Sequence, residues 1–307
     1  MYVIGKNSDF HLIKFPFLFP LFYCFILYFV EGSEAYLVFF TLLLLAEPHF
    51  GATFPFLIYK NNFTKILNNK IYYLYFPIFI VVFCVLGFFQ FNYLFLLIFF
   101  GVNLFHVTRQ SVGISKLYVK NKNEINYHVN LIYFYGILFF LIGIFRFYIP
   151  IINSDNIILF NLIIISALIL CFMFYIYKFG FSSNIQTLIT GCLIFYPICF
   201  VSNPIHGIIM GVTMHYTQYL ALTYKITTKR LEDFTKKIFM NYKFISTIIL
   251  YGAVMSILSL SGKNQYDAVK ALIVIPIIGQ MLHFYFDSLL WKFSDPHNRE
   301  NVLKHIF

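Results

Sequence analysis

The sequence predicts an all-α protein, a polytopic helical membrane chain with about ten transmembrane helices. Three observations predict it. Of 307 residues, 60% are apolar and only 11% are charged, where a soluble domain carries about 25% charged residues. The mean hydropathy is +0.79. Apolar runs of about 20 residues follow one another along the whole chain, joined by short polar loops. Each run must be a helix, because lipid satisfies no open backbone group and nothing in the pattern suggests a barrel. Residues 1–307 therefore read as a single transmembrane helical domain. The composition excludes a soluble enzyme, a disordered chain, a coiled coil and a collagen-like chain. The net charge is +10, but no folded basic module is long enough to hold nucleic acid. Cys24, Cys84, Cys171, Cys192 and Cys199 lie inside apolar runs with no CxxC pair. They read as small buried apolar residues.

The spans follow in order: 15–30, 35–59, 71–89, 91–117, 128–149, 157–178, 184–201, 204–225, 242–261 and 267–291. No small-residue cleavage site follows the first, so it reads as a span and not as a signal peptide. The second contains Glu47-Pro48-His49-Phe50-Gly51. Pro48 removes a backbone hydrogen bond and predicts a bend there, and Gly51 admits a close neighbour. The fourth contains His106, Arg109 and Gln110, the eighth His206, His215 and Gln218, and the tenth Gln280, His283 and Asp287. Trp291 follows as an interfacial anchor. His11, His128, His297 and His305 fall at loops or span ends and read as chemically inert.

Sorting the loops by side places 18 of the 22 basic residues together, with Lys60, Lys65 and Lys70 in one loop and Lys225, Lys229 and Arg230 in another. The positive-inside rule then predicts both termini in the cytoplasm of a bacterial inner membrane. An even number of spans is required, and ten satisfies it.

Ionisable residues inside spans are costly and mark function by default. Here they gather on spans two, four, eight and ten, which all run in one direction under this topology. His49, His106, His215 and His283 lie about 11 to 16 residues into their spans, a spread of about one and a half turns at about 1.5 Å per residue. His106 shares a helix face with Arg109 and Gln110, His215 with Gln218, and His283 with Asp287. His206 lies about 900° of rotation from His215, on the opposite face.

Four imidazoles at one depth read as a metal centre, with His49, His106, His215 and His283 as ligands. Neutral imidazole suits iron, copper and zinc, and the scarcity of carboxylates argues against magnesium and calcium. Fe2+ is the expected ion. Glu47 and Asp287 read as orienting groups or alternative ligands. Arg109, Gln110 and Gln218 read as the lining of an oxygen or substrate pocket. The expected partners are dioxygen, a hydrophobic small molecule and membrane lipid.

The Pro48-His49-Phe50-Gly51 stretch, His215, and His283 with Asp287 resemble motifs of the Brp/Blh-like membrane β-carotene 15,15′-dioxygenases. That resemblance implies a polytopic iron oxygenase that cleaves a carotenoid double bond. It covers short stretches only and implies iron at His49, His106, His215 and His283; the family's Gly-Ala-Leu-Asp-His stretch is absent. The HxxxH and HxxHH boxes of membrane desaturases are also absent, as are HExxH and a phosphate-binding Walker sequence. A secondary transporter or proton-coupled channel with a buried His/Asp/Arg core is the alternative from another class. Haem held between spans is the third reading.

Overall fold

The computed structural model describes residues 2–58, 65, 68–149, 151–152, 154–229, 234–263 and 266–306. Lys60, Arg230 and the last residue of the expected 35–59 span lie outside them. Every regular element among the described residues is helical. In chain order the main helices are α1 (Lys6–Lys14), α2 (Leu18–Phe29), α3 (Glu34–Pro55) and α4 (Ile71–Gln90). Next come α5 (Asn92–Tyr118), α6 (Lys122–Tyr148), α7 (Ser154–Phe179) and α8 (Ile185–Leu193). The chain continues with α9 (Pro204–Lys229), α10 (Phe234–Leu260), α11 (Ala271–Leu290) and α12 (Pro296–Asn301).

Among the described residues, seven helices are long and apolar enough to cross a membrane: α3 to α7, α10 and α11. Their outer faces are apolar; the α7 segment Asn156–Phe179 has mean hydropathy 2.9 with 11% of it buried. A soluble monomer rarely exposes so large an apolar surface, so the seven helices point to an integral membrane protein.

Seven such helices among the described residues are fewer than the expected ten or so, and each departure has a local cause. The first span is a pair of helices bent by 58°. Pro16 lies in the break, and the residue before a proline is driven out of the helical region. Phe15 indeed sits at φ −148° and ψ 73°. If α1 and α2 together make one crossing, the count is eight. The expected 184–201 span splits into α8 and a 3₁₀ turn at Tyr196–Cys199, where Pro197 lacks the donor a continuing helix needs. The 204–225 span is a helix, α9, but a polar one. Its threonines turn their hydroxyls back on the backbone, as Thr217 does to Thr213 at 3.2 Å and Thr227 to Thr223 at 2.9 Å. Seven crossings would put the termini on opposite sides and eight on the same side, so the orientation rests on whether α1 and α2 cross together.

The chain divides into two compact units. The first comprises Gly5–Glu34 and Leu104–Gln218. In it α6 packs on α8, where a Cβ on Gly191 would meet Ile132 at 2.7 Å. Gly136 of α6 likewise sits against Thr108 of α5. Tyr135, Phe139, Ile132, Leu188 and Met210 are fully buried there. Helix α1 is tied to α8 through Thr190, whose hydroxyl donates to the Lys14 carbonyl at 2.7 Å. The second unit comprises Tyr2–Ile4, Ala35–Asn103 and Tyr219–Phe307. Its α11 lies along α4, with Tyr73 stacked on Phe286 at 6.5 Å and Phe76 on Tyr285 at 5.9 Å. Its α10 crosses α3 very closely. A Cβ on Gly51 would meet the Tyr251 ring at 2.9 Å, and one on Gly252 would meet Pro48 at 2.8 Å. Just before Pro48 the backbone of α3 widens into a π-helical turn, Leu42–Ala46.

Candidate metal centre

In the second unit, α3, α9 and α11 bring five buried polar side chains together: His49, Thr53, Tyr219, His283 and Asp287. His49 and Thr53 are four apart on α3, and His283 and Asp287 four apart on α11, so each pair shares a face. The rings of His49 and His283 meet edge to face with centroids 4.5 Å apart. Tyr219 lies 4.4 Å from His49, ring to ring. Thr53 Oγ1 is 2.7 Å from His283 Nδ1, 2.9 Å from Asp287 Oδ1 and 2.6 Å from the Tyr219 hydroxyl. The Tyr219 hydroxyl donates to the same Oδ1 at 2.6 Å.

Counting protons gives this network a direction. With Asp287 ionised, its Oδ1 only accepts, and the two short contacts on it take the proton of Thr53 and the proton of Tyr219, the Thr53–Tyr219 contact then being a close approach of two oxygens bound to the same acceptor. Thr53 then has none left for His283. It must accept from Nδ1–H, which leaves the lone pair of His283 on Nε2. An imidazole oriented through one nitrogen, with the other available as a donor atom, is the arrangement found around metal-ligating histidines. His283 Nε2 is 3.7 Å from Asp287 Oδ2, beyond hydrogen-bond distance.

The first unit holds the other two histidines. His106 and His215 are buried, with ring centroids 5.7 Å apart and planes at 85°. The Gln110 amide is 3.3 Å from His106 Nε2. That amide nitrogen can only donate, so here Nε2 accepts. Gln218 Nε2 donates to the Ile13 carbonyl at 2.6 Å, which ties α9 to the N-terminal segment.

The remaining expected site residues fall elsewhere. Arg109 is exposed although His106, three positions earlier, is buried. Glu47 turns away from His49, as two residues of helix, about 200°, require. Its carboxylate accepts from Ser259 of α10 at 3.3 Å. His206 has its own partners, with Tyr23 on Nδ1 at 2.5 Å and Glu34 at 3.8 Å from Nε2. Trp291 is half-buried against Tyr219, at 5.7 Å. His128, expected at a span end, is instead fully buried, with Nδ1 2.5 Å from the Ser115 hydroxyl. Glu124, one turn before it on α6, is buried too and accepts from Tyr175 at 2.6 Å.

Thr53 and Tyr219 were not among the residues singled out from the sequence. For Thr53 a signal exists, since it stands four residues after His49. Tyr219 is one of 24 tyrosines in an aromatic-rich chain, and nothing local distinguishes it.

Compared with known proteins, the chain matches no family model, no curated protein and no solved structure. Fold and site together define its class: an all-helical integral membrane protein whose buried histidines include groups able to hold a metal ion.

Proposed function

We propose that this chain is a membrane-embedded, histidine-ligated metal oxygenase acting on a hydrophobic substrate. Four imidazoles would serve as ligands: His49 and His283 in one unit, His106 and His215 in the other. One observation carries the reading, the proton-directed network of Thr53, Tyr219 and Asp287 that turns the His283 lone pair onto Nε2. Iron is the proposed ion, because nitrogen-rich sites with few carboxylates suit iron, copper or zinc and iron among them is suited to dioxygen chemistry. The proposed substrate is a carotenoid- or lipid-like polyene, as the sequence resemblance implies. Addition of one O2 across one carbon–carbon double bond gives two carbonyl products and needs no external reductant.

The test is metal analysis of the purified chain, followed by product analysis with a carotenoid and dioxygen. Stoichiometric iron in the wild type, and its loss in His283→Ala, supports the reading; a wild type that binds no transition metal at neutral pH overturns it. A ligand imidazole must be neutral, so the metal is expected to leave as the pH is lowered.

A second reading, an ion-coupled transporter, is favoured by one feature, the burial of Glu47 away from the histidines. Flux into proteoliposomes by metal-free protein distinguishes it.

A further inference from the structure

We propose that the second unit contains an all-oxygen site for a monovalent cation, Na+, built by Glu47, Ser256 and Ser259. Glu47 and Ser256 are both wholly buried. Glu47 Oε1 accepts from Ser259 and the Gln280 amide also lies against the carboxylate, while Glu47 Oε2 and Ser256 Oγ are buried without a close donor or acceptor. An ionised carboxylate short of partners in a helix bundle is costly. A cation that takes both bare oxygens removes that cost.

The backbone supports the same site. Gly252, Ser256 and Ser259 are spaced i, i+4, i+7 and form one stripe of α10. Gly252 at one end of the stripe packs on Pro48, and Ser259 at the other touches Glu47. Ser256 stands between them, so it faces α3 at the level of the π-helical turn. The Leu43 carbonyl oxygen lies 3.2 Å from where a Cβ on Gly252 would be. Pro48 has no N–H, so one carbonyl of that turn lacks its ladder donor. Carbonyls released at a broken membrane helix are a recurrent source of cation ligands.

The chemistry selects the ion. Carboxylate, hydroxyl and carbonyl oxygens suit a hard cation, not the softer ions that imidazole binds. A single carboxylate neutralises a single positive charge; a divalent ion would leave a net charge buried in the bundle. The site is separate from the histidines, since Glu47 and His49 lie on opposite faces of α3, and it rests on no assumption about them.

The experiment uses the full chain, purified in detergent and stripped of transition metals with a chelator. Radioactive Na+ binding and thermal melts in NaCl, KCl and choline chloride are measured at constant ionic strength. The expected result is saturable binding of about one Na+ per chain and a melting temperature that rises with NaCl specifically, as ligand linkage requires. Glu47→Gln and Ser256→Ala are each expected to weaken Na+ binding by about tenfold or more. Absence of saturable Na+ binding, an equal rise in choline chloride, or wild-type affinity in Ser256→Ala overturns the proposal. Ser256→Ala removes one oxygen from a small side chain, so it gives a reading even if Glu47→Gln does not fold.

Discussion

The two units each bury a pair of histidines on helices, and the pairs differ in what surrounds them. In the second unit, His283 is held through Nδ1 by a hydroxyl that is itself committed to a carboxylate. In the first, the contact is a neutral amide on Nε2 of His106. One arrangement fixes which nitrogen carries the lone pair; the other engages the Nε2 lone pair with an amide. The same residue type, at similar depth in the sequence pattern, is thus prepared for different work by its nearest neighbour. Burial alone, at 0% exposure for His283 and 1% for His215, does not separate them.

That contrast can be broken or sharpened by experiment. The largest effect is expected for His49→Ala and His283→Ala, each lowering metal affinity by more than about 100-fold, beyond what loss of a supporting partner costs. Elemental analysis of His106→Ala and His215→Ala alongside them completes the comparison. Retention of metal in the His106 and His215 variants would sharpen the contrast, and equal loss from all four would break it.

Next in size is Thr53→Val, which keeps the shape and removes the hydroxyl. Metal affinity should fall by about 10- to 100-fold, read by competition with a chromophoric chelator. Gln110→Leu should change it by less than about tenfold, because it removes a competitor for Nε2 and not a support. A larger loss for Gln110→Leu than for Thr53→Val would reverse the comparison.

Packing is tested by two glycines of the first unit. A Cβ on Gly211 would overlap the Ile194 backbone carbonyl, which cannot rotate away. A Cβ on Gly136 would meet the Thr108 side chain at 2.6 Å, and a side chain can turn. Gly211→Ala should therefore cost more than the about 1–3 kcal/mol usual for overpacking, and Gly136→Ala should fall within it. Thermal melts give the order.

The smallest effect concerns charge at the second unit's edge. Lys65 and Asp295 pair at 2.5 Å with both side chains partly exposed, and that hydrogen bond holds the Asp295 carboxyl below its ordinary value. A depressed carboxyl stabilises the fold above the unfolded pKa, about 3.9, and the contribution is lost as pH falls through the folded value. Lys65→Met should reduce this acid-side slope, the backbone N–H of His297 still holding the carboxylate, while costing no more than about 1 kcal/mol at neutral pH. Melts at pH 7 and pH 3 check it. The first unit treats its cation differently: Lys14 is 4% exposed and sits over the Tyr118 ring at 4.9 Å.

Much of this was legible in the sequence, in the places where a single helix decides the outcome. Seven of the expected spans are helices long and apolar enough to cross, because hydrocarbon demands an apolar run and little else. The face shared by His283 and Asp287 follows from spacing alone. The opposition of Glu47 and His49, two residues apart, follows from the same rule and separates Glu47 from the histidines. What could not be read depends on contacts between helices. The α1–α2 bend needs Pro16 together with a place for α1 to dock. The burial of Lys14 and His128 needs Ser183 and Ser115, both distant or inconspicuous in the chain. Arg109 shows the limit of face arguments, since a residue 60° around the helix from a buried histidine can already be outside.

Thr53 carries one hydroxyl proton, and that fact reaches further than its size suggests. A hydroxyl committed to a carboxylate works as a one-way junction: the proton goes to Asp287 and the acceptance comes from His283. Serine preserves the junction and valine deletes it; an amide could reverse it by offering a donor to Nδ1 and moving the lone pair's counterpart to the other nitrogen. Position 53 thus selects which edge of the imidazole is presented, from a place where its own oxygen is already fully engaged. In a chain so short of polar groups, the identity of one small residue sets the handedness of the ring beside it.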